Sequence, residues 1–426
     1  MAMPSNRGRG PSRPRNNNGM TRTRPHRRPG KHRGPNQGQQ GYPQGMQQQQ
    51  QQSQVPKVRP SGPSEPVFGV LKITGRERGE LVDPTILYPT AGVFVGPNLI
   101  RQYRLVQGAT IKGQAQRAGD RQELVEIESI SDLPPDDFNR RGKFKELVPV
   151  DPHERINLSR DGNITMRVID LVAPIGKGTR ALVVSPPKAG KTMILEAFAH
   201  AMLADCPDMR VIALLVDERP EEVTHFRRSV KAEVFARTND QHPQEQVDLV
   251  NLVLDMVRVE LECGRDVALL VDSLTRVGRA FNVIGSGTGR TMSGGVEAGA
   301  LEIPRRLFGL ARNIEGGGSV TIIATALVDT GSQMDQLIFQ EFKGTGNCEI
   351  VLDRKLAEQR IYPAINIMES GTRKEERLYD QHSLDRIALL RRGLADRSPK
   401  EALEMLLNLL KKHSSNEALF KSIPSL

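Results

Sequence analysis

Short apolar runs alternate with longer stretches of helical spacing through the second half of this chain. Ala181–Val184, Val211–Val216, Val267–Val271 and Val320–Ala326 are apolar or nearly so, and the first three end at polar residues. Runs of that length predict strands covered on both faces, as in a parallel sheet. Met193–Ala199, Pro220–Lys231 (proline at its start), Gln244–Glu262 and Glu297–Arg312 (interrupted at Pro304) predict the intervening helices. The region 380–426 reads as helical, and its Leu/Met stripe over Glu401–Leu410 predicts core or subunit contact. Residues 67–133 differ: Val67–Ile73, Val93–Val95, Ala109–Gly113 and Leu124–Ile127 are short strand-like runs between Gly and Pro turns. Their number suits a small OB-type barrel, and equally a barrel with no ligand. Phe94, Arg101 and Tyr103 are its candidates for base stacking and phosphate contact. Pro134-Pro135 opens an expected linker over 134–150, followed by an α/β domain over 151–426.

Residues 1–66 have no periodicity, being Arg/Gly/Pro/Asn-rich and then Gln-rich from Gln37 to Gln54. They are expected to be disordered, because they bury too little apolar area to offset chain entropy. Charge sharpens the division. Twelve of the 60 Lys and Arg residues lie in residues 1–60, with no Asp or Glu, so 48 basic residues face 50 acidic ones elsewhere. The basic character therefore belongs to the tail, as a salt-sensitive contact with nucleic-acid phosphates or as a solubilising segment. Cys206, Cys263 and Cys348 have neither disulfide-framework nor zinc spacing. No apolar run approaches the roughly 18 residues of a membrane span, and the polar, basic start has no signal-peptide core. A cytoplasmic protein is expected.

The candidate chemistry centres on Ser185-Pro186-Pro187-Lys188-Ala189-Gly190-Lys191-Thr192, which joins the Ala181–Val184 run to the Met193–Ala199 helix. Strand, loop ending in Gly-Lys-Thr, then helix is a phosphate-binding arrangement, although Ser185 stands where the pattern has glycine. Backbone N–H groups and the helix N-terminus would face phosphate oxygens, Lys191 would reach the β/γ-phosphates, and the Thr192 hydroxyl would hold Mg²⁺. ATP and Mg²⁺ are thus the expected substrate and ion. Asp272 ends a strand-like run, the place of a magnesium-holding carboxylate; Glu218 and Asp217 compete as the base that orients the attacking water. Arg219, beside Glu218, and Arg373, in a polar loop far downstream, are candidates to meet transition-state charge. Two Gly-rich segments, Gly285–Gly295 and Asp329–Met334, leave the C-terminal ends of strands and read as flexible connections or as loops that grip a polymer.

Val216-Asp217-Glu218-Arg219-Pro220-Glu221-Glu222-Val223-Thr224, the Ser185–Thr192 loop and Asp272-Ser273-Leu274-Thr275-Arg276 closely resemble the Rho transcription termination factor family. Thr321–Leu327, Glu341–Asn347 and Ser370–Glu376 do so too, in order, over roughly 145–426. The resemblance implies a RecA-like core behind a cold-shock-like barrel, in a homohexameric ring. That ring would hydrolyse ATP, translocate 5′-to-3′ along single-stranded nascent RNA, unwind RNA–DNA hybrids and terminate transcription, with RNA polymerase as a partner. By position it implies Pro186, Pro187, Lys188, Ala189, Gly190, Lys191 and Thr192 around phosphate and magnesium, and Asp272 on the ion. Glu218 becomes the base, Arg219 its companion, and Arg373 the arginine finger acting across the subunit interface. Thr165, Met193 and Tyr362 fall near the base, Tyr362 from across the interface. The Gly-rich loops become RNA contacts of the central channel, with Arg290, Thr291 and Ser293 in the first and Thr330 and Gly331 in the second. Gln333 stands where lysine is expected. The family's helical N-terminal piece is replaced by the basic tail, and Gly75–Val82 lies where an aromatic G-F-G-F segment belongs. Phe94 and Arg101 still match.

Overall fold

The computed structural model describes residues 61–75, 77–86, 92–285, 295–297 and 299–423. The expected tail therefore lies outside the described residues, except that β1 (Ser61–Gly75) begins before its boundary at 66. With β2 (Arg78–Val82), β3 (Val93–Val95), β4 (Thr110–Ala118) and β5 (Arg121–Ile130), it closes a five-stranded barrel in the order β1-β2-β3-β5-β4. Helix α1 (Pro97–Gln102) follows β3. Leu71, Val95, Ile111, Leu124 and Ile130 point inward, as the two-residue period of strands dictates.

The expected linker is instead packed structure. It holds α2 (Pro135–Phe138) and β6 (Pro149–Val150), Phe138 is fully buried, and Arg141 pairs with Glu262 at 3.2 Å. Pro134-Pro135 signals a chain reversal, but the apolar Phe138 three residues later has a core to enter.

The α/β part runs α3 (Ile164–Val172), β7 (Arg180–Ser185), α4 (Lys191–Asp205), β8 (Arg210–Glu218), α5 (Pro220–Ser229), β9 (Glu233–Thr238) and α6 (Pro243–Glu262). It continues with β10 (Val267–Asp272), α7 (Leu274–Gly285), α8 (Glu302–Phe308), β11 (Arg312–Ile314), β12 (Ser319–Leu327), α9 (Gln333–Lys343), β13 (Cys348–Val351) and α10 (Arg354–Glu358). The chain ends with β14 (Gly371–Thr372), α11 (Gln381–Leu394), α12 (Pro399–Lys412) and α13 (Asn416–Ser422). The sheet order is β14-β13-β7-β12-β10-β8-β9, parallel from β13 to β9, with β14 antiparallel at the edge. Arg312, expected in a helix, starts β11, which pairs antiparallel with β12; the helix around Pro304 stops at Phe308.

Alternation explains why the core strands read as continuous apolar runs. Val211, Ala213 and Leu215 of β8 pack on one face with α3, α4 and the C-terminal helices, while Ile212, Leu214 and Val216 pack on the other with α6 and α7. Both faces are covered, so no position from Val211 to Val216 is polar.

The barrel docks on α6. Gly108 has φ +88°, and any Cβ there would lie 2.4 Å from the Asp255 carbonyl carbon and the Met256 nitrogen. Glycine permits both the backbone angle and the approach. Around it Gln107 donates to Asp255 at 3.1 Å, and Arg210 reaches both Thr110 of the barrel (3.2 Å) and buried Glu260 of α6 (2.9 Å).

Candidate functional site

Parallel strands put all their carboxyl ends along one edge, where open α/β sheets bind ligands. That edge gathers the phosphate loop after β7, Glu218 at the end of β8 and Asp272 at the end of β10. Gly190 caps α4 with φ +94°, a left-handed conformation suited to glycine. Ser185 is buried and is not among the described residues with positive φ, so its backbone has no need of glycine's freedom.

The Lys191 ammonium sits between two carboxylates. Its Nζ donates to Glu218 Oε1 at 2.5 Å and to the Asp272 oxygens at 2.8 and 2.7 Å. Both acids are only 2% exposed. Burial draws the Lys191 ammonium down, but Asp272 and then Glu218 more than offset this and hold it above an ordinary lysine. Glu218 moves the other way: burial first, and the Asp272 charge second, push it up to about 7 against the pull of Lys191 and Arg276. Thr325 Oγ1 donates to Asp272 Oδ1 at 2.9 Å and orients it.

The second oxygen of Glu218 accepts no hydrogen bond from any described residue. Arg276 Nη2 stands 3.3 Å from it, and Arg276 also contacts Asp217. Sequence reasoning singles out neither Arg276 nor Thr325. The signal for Arg276 is its place in the first turn of the helix that follows the Asp272 strand; nothing in sequence marks Thr325, a threonine within a strand.

Around this centre, the Thr192 hydroxyl makes no hydrogen bond with any described residue, Met193 is 63% exposed, and Thr165 lies in the first turn of α3 behind its cap Asn163. Arg219 is exposed at the N-terminus of α5. Tyr362 Cε1 is 4.0 Å from where a Cβ on Gly190 would lie, so its ring stands beside the phosphate loop of its own chain. This corrects the expectation that Tyr362 arrives from a neighbouring copy.

Arg373 is elsewhere. Its backbone N–H donates to the Asn347 carbonyl, and the Asn347 N–H donates to the carbonyl of Arg180, at the start of β7. The phosphate loop leaves the other end of that six-residue strand, about 20 Å away. The Arg373 side chain is exposed and has no hydrogen bond or ion pair with any described residue.

In the barrel, the Arg121 guanidinium lies 3.9 Å over the centroid of the Phe94 ring, on a face expected to be open to a base. Arg101 is engaged with Glu77 at 3.6 Å, and Tyr103 packs against the barrel core. Arg290, Thr291 and Ser293 lie outside the described residues. In the second Gly-rich segment Gly331 is exposed with φ +78°, whereas Thr330 Oγ1 donates at 2.6 Å to Asp335. Asp335 is 1% exposed, pairs with Arg279 at 2.8 Å, and receives the cap of α9 through Ser332. Asp335→Ala is expected to lower stability by about 2–3 kcal/mol, the loss of charge-assisted hydrogen bonds at a helix start. Urea unfolding at fixed protein concentration measures it; an unchanged midpoint would show that the loop is held by other means.

Residues 165–372 match the ATP synthase alpha/beta family, nucleotide-binding domain. Among solved structures, the chain is similar to a prototypical ATPase from the type III secretion system of pathogenic bacteria, with TM-score 0.52 at 22% identity, covering 65% of this chain and 86% of that one. It is also similar to the assembled ATPase EscN of enteropathogenic E. coli, with TM-score 0.51 at 20% identity, covering 67% and 71%. These place the fold among RecA-like ATPases. The transcription termination factor Rho of Aquifex aeolicus is 47% identical over 367 residues, covering 84% of each chain. That of Chromobacterium violaceum is 44% identical over 84% of this chain and 88% of its own. With the ordered motifs, the RecA-like sheet and the phosphate loop, this places the chain in the transcription termination factor Rho family, as an ATPase.

Proposed function

We propose that the protein is a ring-forming, RNA-stimulated ATPase, a homohexamer that moves 5′-to-3′ along nascent single-stranded RNA in the cytoplasm. It unwinds RNA–DNA hybrids and ends transcription by RNA polymerase. The observation that carries the reading is the position of Arg373. A cation exposed and unpaired among the described residues, one strand length from its own phosphate loop, serves a pocket only on another copy, and a motor driven by pockets between copies closes into a ring.

Within the pocket, the Pro186–Thr192 loop cradles the phosphates, and Lys191 exchanges its two carboxylates for the β/γ-phosphates. Met193, Tyr362 and Thr165 flank the base. Thr192 and Asp272 are hard oxygen donors and would hold Mg²⁺. When bound, the ion neutralises charge developing on the phosphates. Glu218, released by Lys191, accepts the proton of the attacking water, with Arg276 holding its other oxygen and Arg219 meeting γ-phosphate charge. Phe94 and Arg101 on the barrel, and Arg290, Thr291, Ser293, Thr330 and Gly331 in the channel loops, are assigned to RNA. The test is ATP turnover with RNA homopolymers, DNA or no polymer. Stimulation by RNA is expected; turnover indifferent to RNA, or a monomer in the presence of nucleotide and RNA, would overturn the reading.

Arg121 over Phe94 and the missing G-F-G-F aromatics take stacking surface from the barrel. The +12 charge of residues 1–60 supplies compensating affinity. Deleting residues 1–60 is expected to weaken RNA binding at low salt and flatten its salt dependence, since each phosphate no longer neutralised by the protein takes about 0.7 off the logarithmic slope. An identical salt titration for the two proteins would exclude this.

A further inference from the structure

The segment that bears Arg373 is fixed on both sides of it. Gly371 and Thr372 form β14 against β13, and Thr372 Oγ1 donates to the Pro174 carbonyl at 2.8 Å. Lys374 adopts φ +58°, a left-handed conformation unfavourable for a residue with a Cβ, and its ammonium is held by Asp151 at 2.9 Å. Arg377 reaches the same carboxylate at 3.1 Å. Glu375 takes a bidentate grip from Arg391 of α11, with Nη1–Oε1 at 2.6 Å and Nη2–Oε2 at 2.7 Å. Arg391 Nη2 also donates to the Val172 carbonyl, 3.1 Å away at the C-terminus of α3. One guanidinium thus joins the Arg373 segment, α11 and the C-terminal end of α3. Thr372, Lys374, Glu375 and Arg377 are tied down, and the Arg373 side chain between them has no partner among the described residues.

We propose that Glu375 and Arg391 are positioning residues for Arg373: their bidentate pair sets the backbone from which Arg373 is presented to the neighbouring copy. The proposal rests on the reading of Arg373 as the cation that crosses between copies. A planar guanidinium on a carboxylate fixes direction as well as distance, which a lone ammonium does not. Without the pair, the segment shifts and the pocket of its own chain is untouched. Arg373 then misses the transition state in the neighbouring pocket, while nucleotide binding is kept.

The test is RNA-stimulated ATP turnover by the full-length protein carrying Arg391→Ala, Arg391→Lys or Glu375→Gln, each alone and with Arg373→Ala. Fluorescent nucleotide binding and assembly are measured alongside. Expected are a fall in kcat of about tenfold for Arg391→Ala and Glu375→Gln, because small displacements of a transition-state group are costly, and unchanged nucleotide affinity. In the Arg373→Ala background neither substitution slows turnover further, since each acts through a side chain already gone. A penalty that multiplies in that background would show general structural damage and overturn the proposal. So would full kcat in Arg391→Ala and Glu375→Gln when Arg373→Ala is slow. Full kcat in Arg373→Ala itself would bring down the crossing-cation reading, and this proposal with it. If Arg391→Ala fails to assemble, Glu375→Gln, nearly the same shape, carries the comparison.

Discussion

Lys191→Ala is expected to lower ATP turnover by about a thousandfold or more, because it removes the one cation of the phosphate loop aimed at transferring charge. Nucleotide binding should fall with it. The structure adds a consequence that a phosphate-only role would lack. Lys191 neutralises Glu218 and Asp272, each 2% exposed. Without it, two buried carboxylates share a site, and Glu218, already pushed up to about 7 by burial and by Asp272, rises further. A carboxyl whose folded-state pKa exceeds its unfolded value binds protons more tightly when folded, so stability falls as pH rises from the unfolded value through the folded one. For Glu218 that window opens near the ordinary 4.5 and reaches about 7 in the intact protein. Relative to the parent, Lys191→Ala should therefore melt lower at pH 8 than at pH 6. Equal melting differences at the two pH values would show that the carboxylates find another partner.

The elements that position this site are legible where one physical constraint acts alone. Strands covered on both faces must be continuously apolar, so Val211–Val216 and Val267–Val271 stand out, and a carboxylate ending such a run lies at the ligand edge. Legibility fails where a side chain's role depends on what lies across space. Tyr103 reads as an exposed aromatic but fills the flank of the barrel core. Phe94 matches a stacking position, yet its face carries Arg121, a residue 27 positions away in sequence that the barrel's closure brings to it. Pro134-Pro135 reads as a linker because proline marks a reversal whether or not the chain beyond it is packed. Tyr362 reads as a residue from across an interface, although the end of β13 returns it to its own phosphate loop. Arg276 is visible only as part of a motif; its work, contacting both Glu218 and Asp217, requires β8 and β10 to be neighbours.

Glu218→Gln is expected to leave nucleotide binding intact and slow hydrolysis by about a thousandfold, within the range assigned to a positioned general base. The amide keeps the shape and one acceptor for Lys191, so the pocket should still assemble. Asp217 is the competing base. Its side chain lies against Arg276, 3.4 Å from Nη1, is 34% exposed and makes no hydrogen bond to Lys191, whereas Glu218 touches the phosphate-loop lysine directly. Asp217→Asn should therefore keep most of the turnover, and a loss equal to that of Glu218→Gln would reassign the base. The pH profile separates the two independently. A base must be deprotonated to accept a proton, and kcat/KM reports the free enzyme, in which Glu218 lies at about 7. In the parent protein kcat/KM should rise between pH 6 and pH 8 and level off above, with burial, then the Asp272 charge, setting the midpoint so far above an ordinary glutamate. In Glu218→Gln that rising limb should vanish. Its survival there would place the titrating group elsewhere and remove the physical ground for Glu218 as the residue that receives the water's proton.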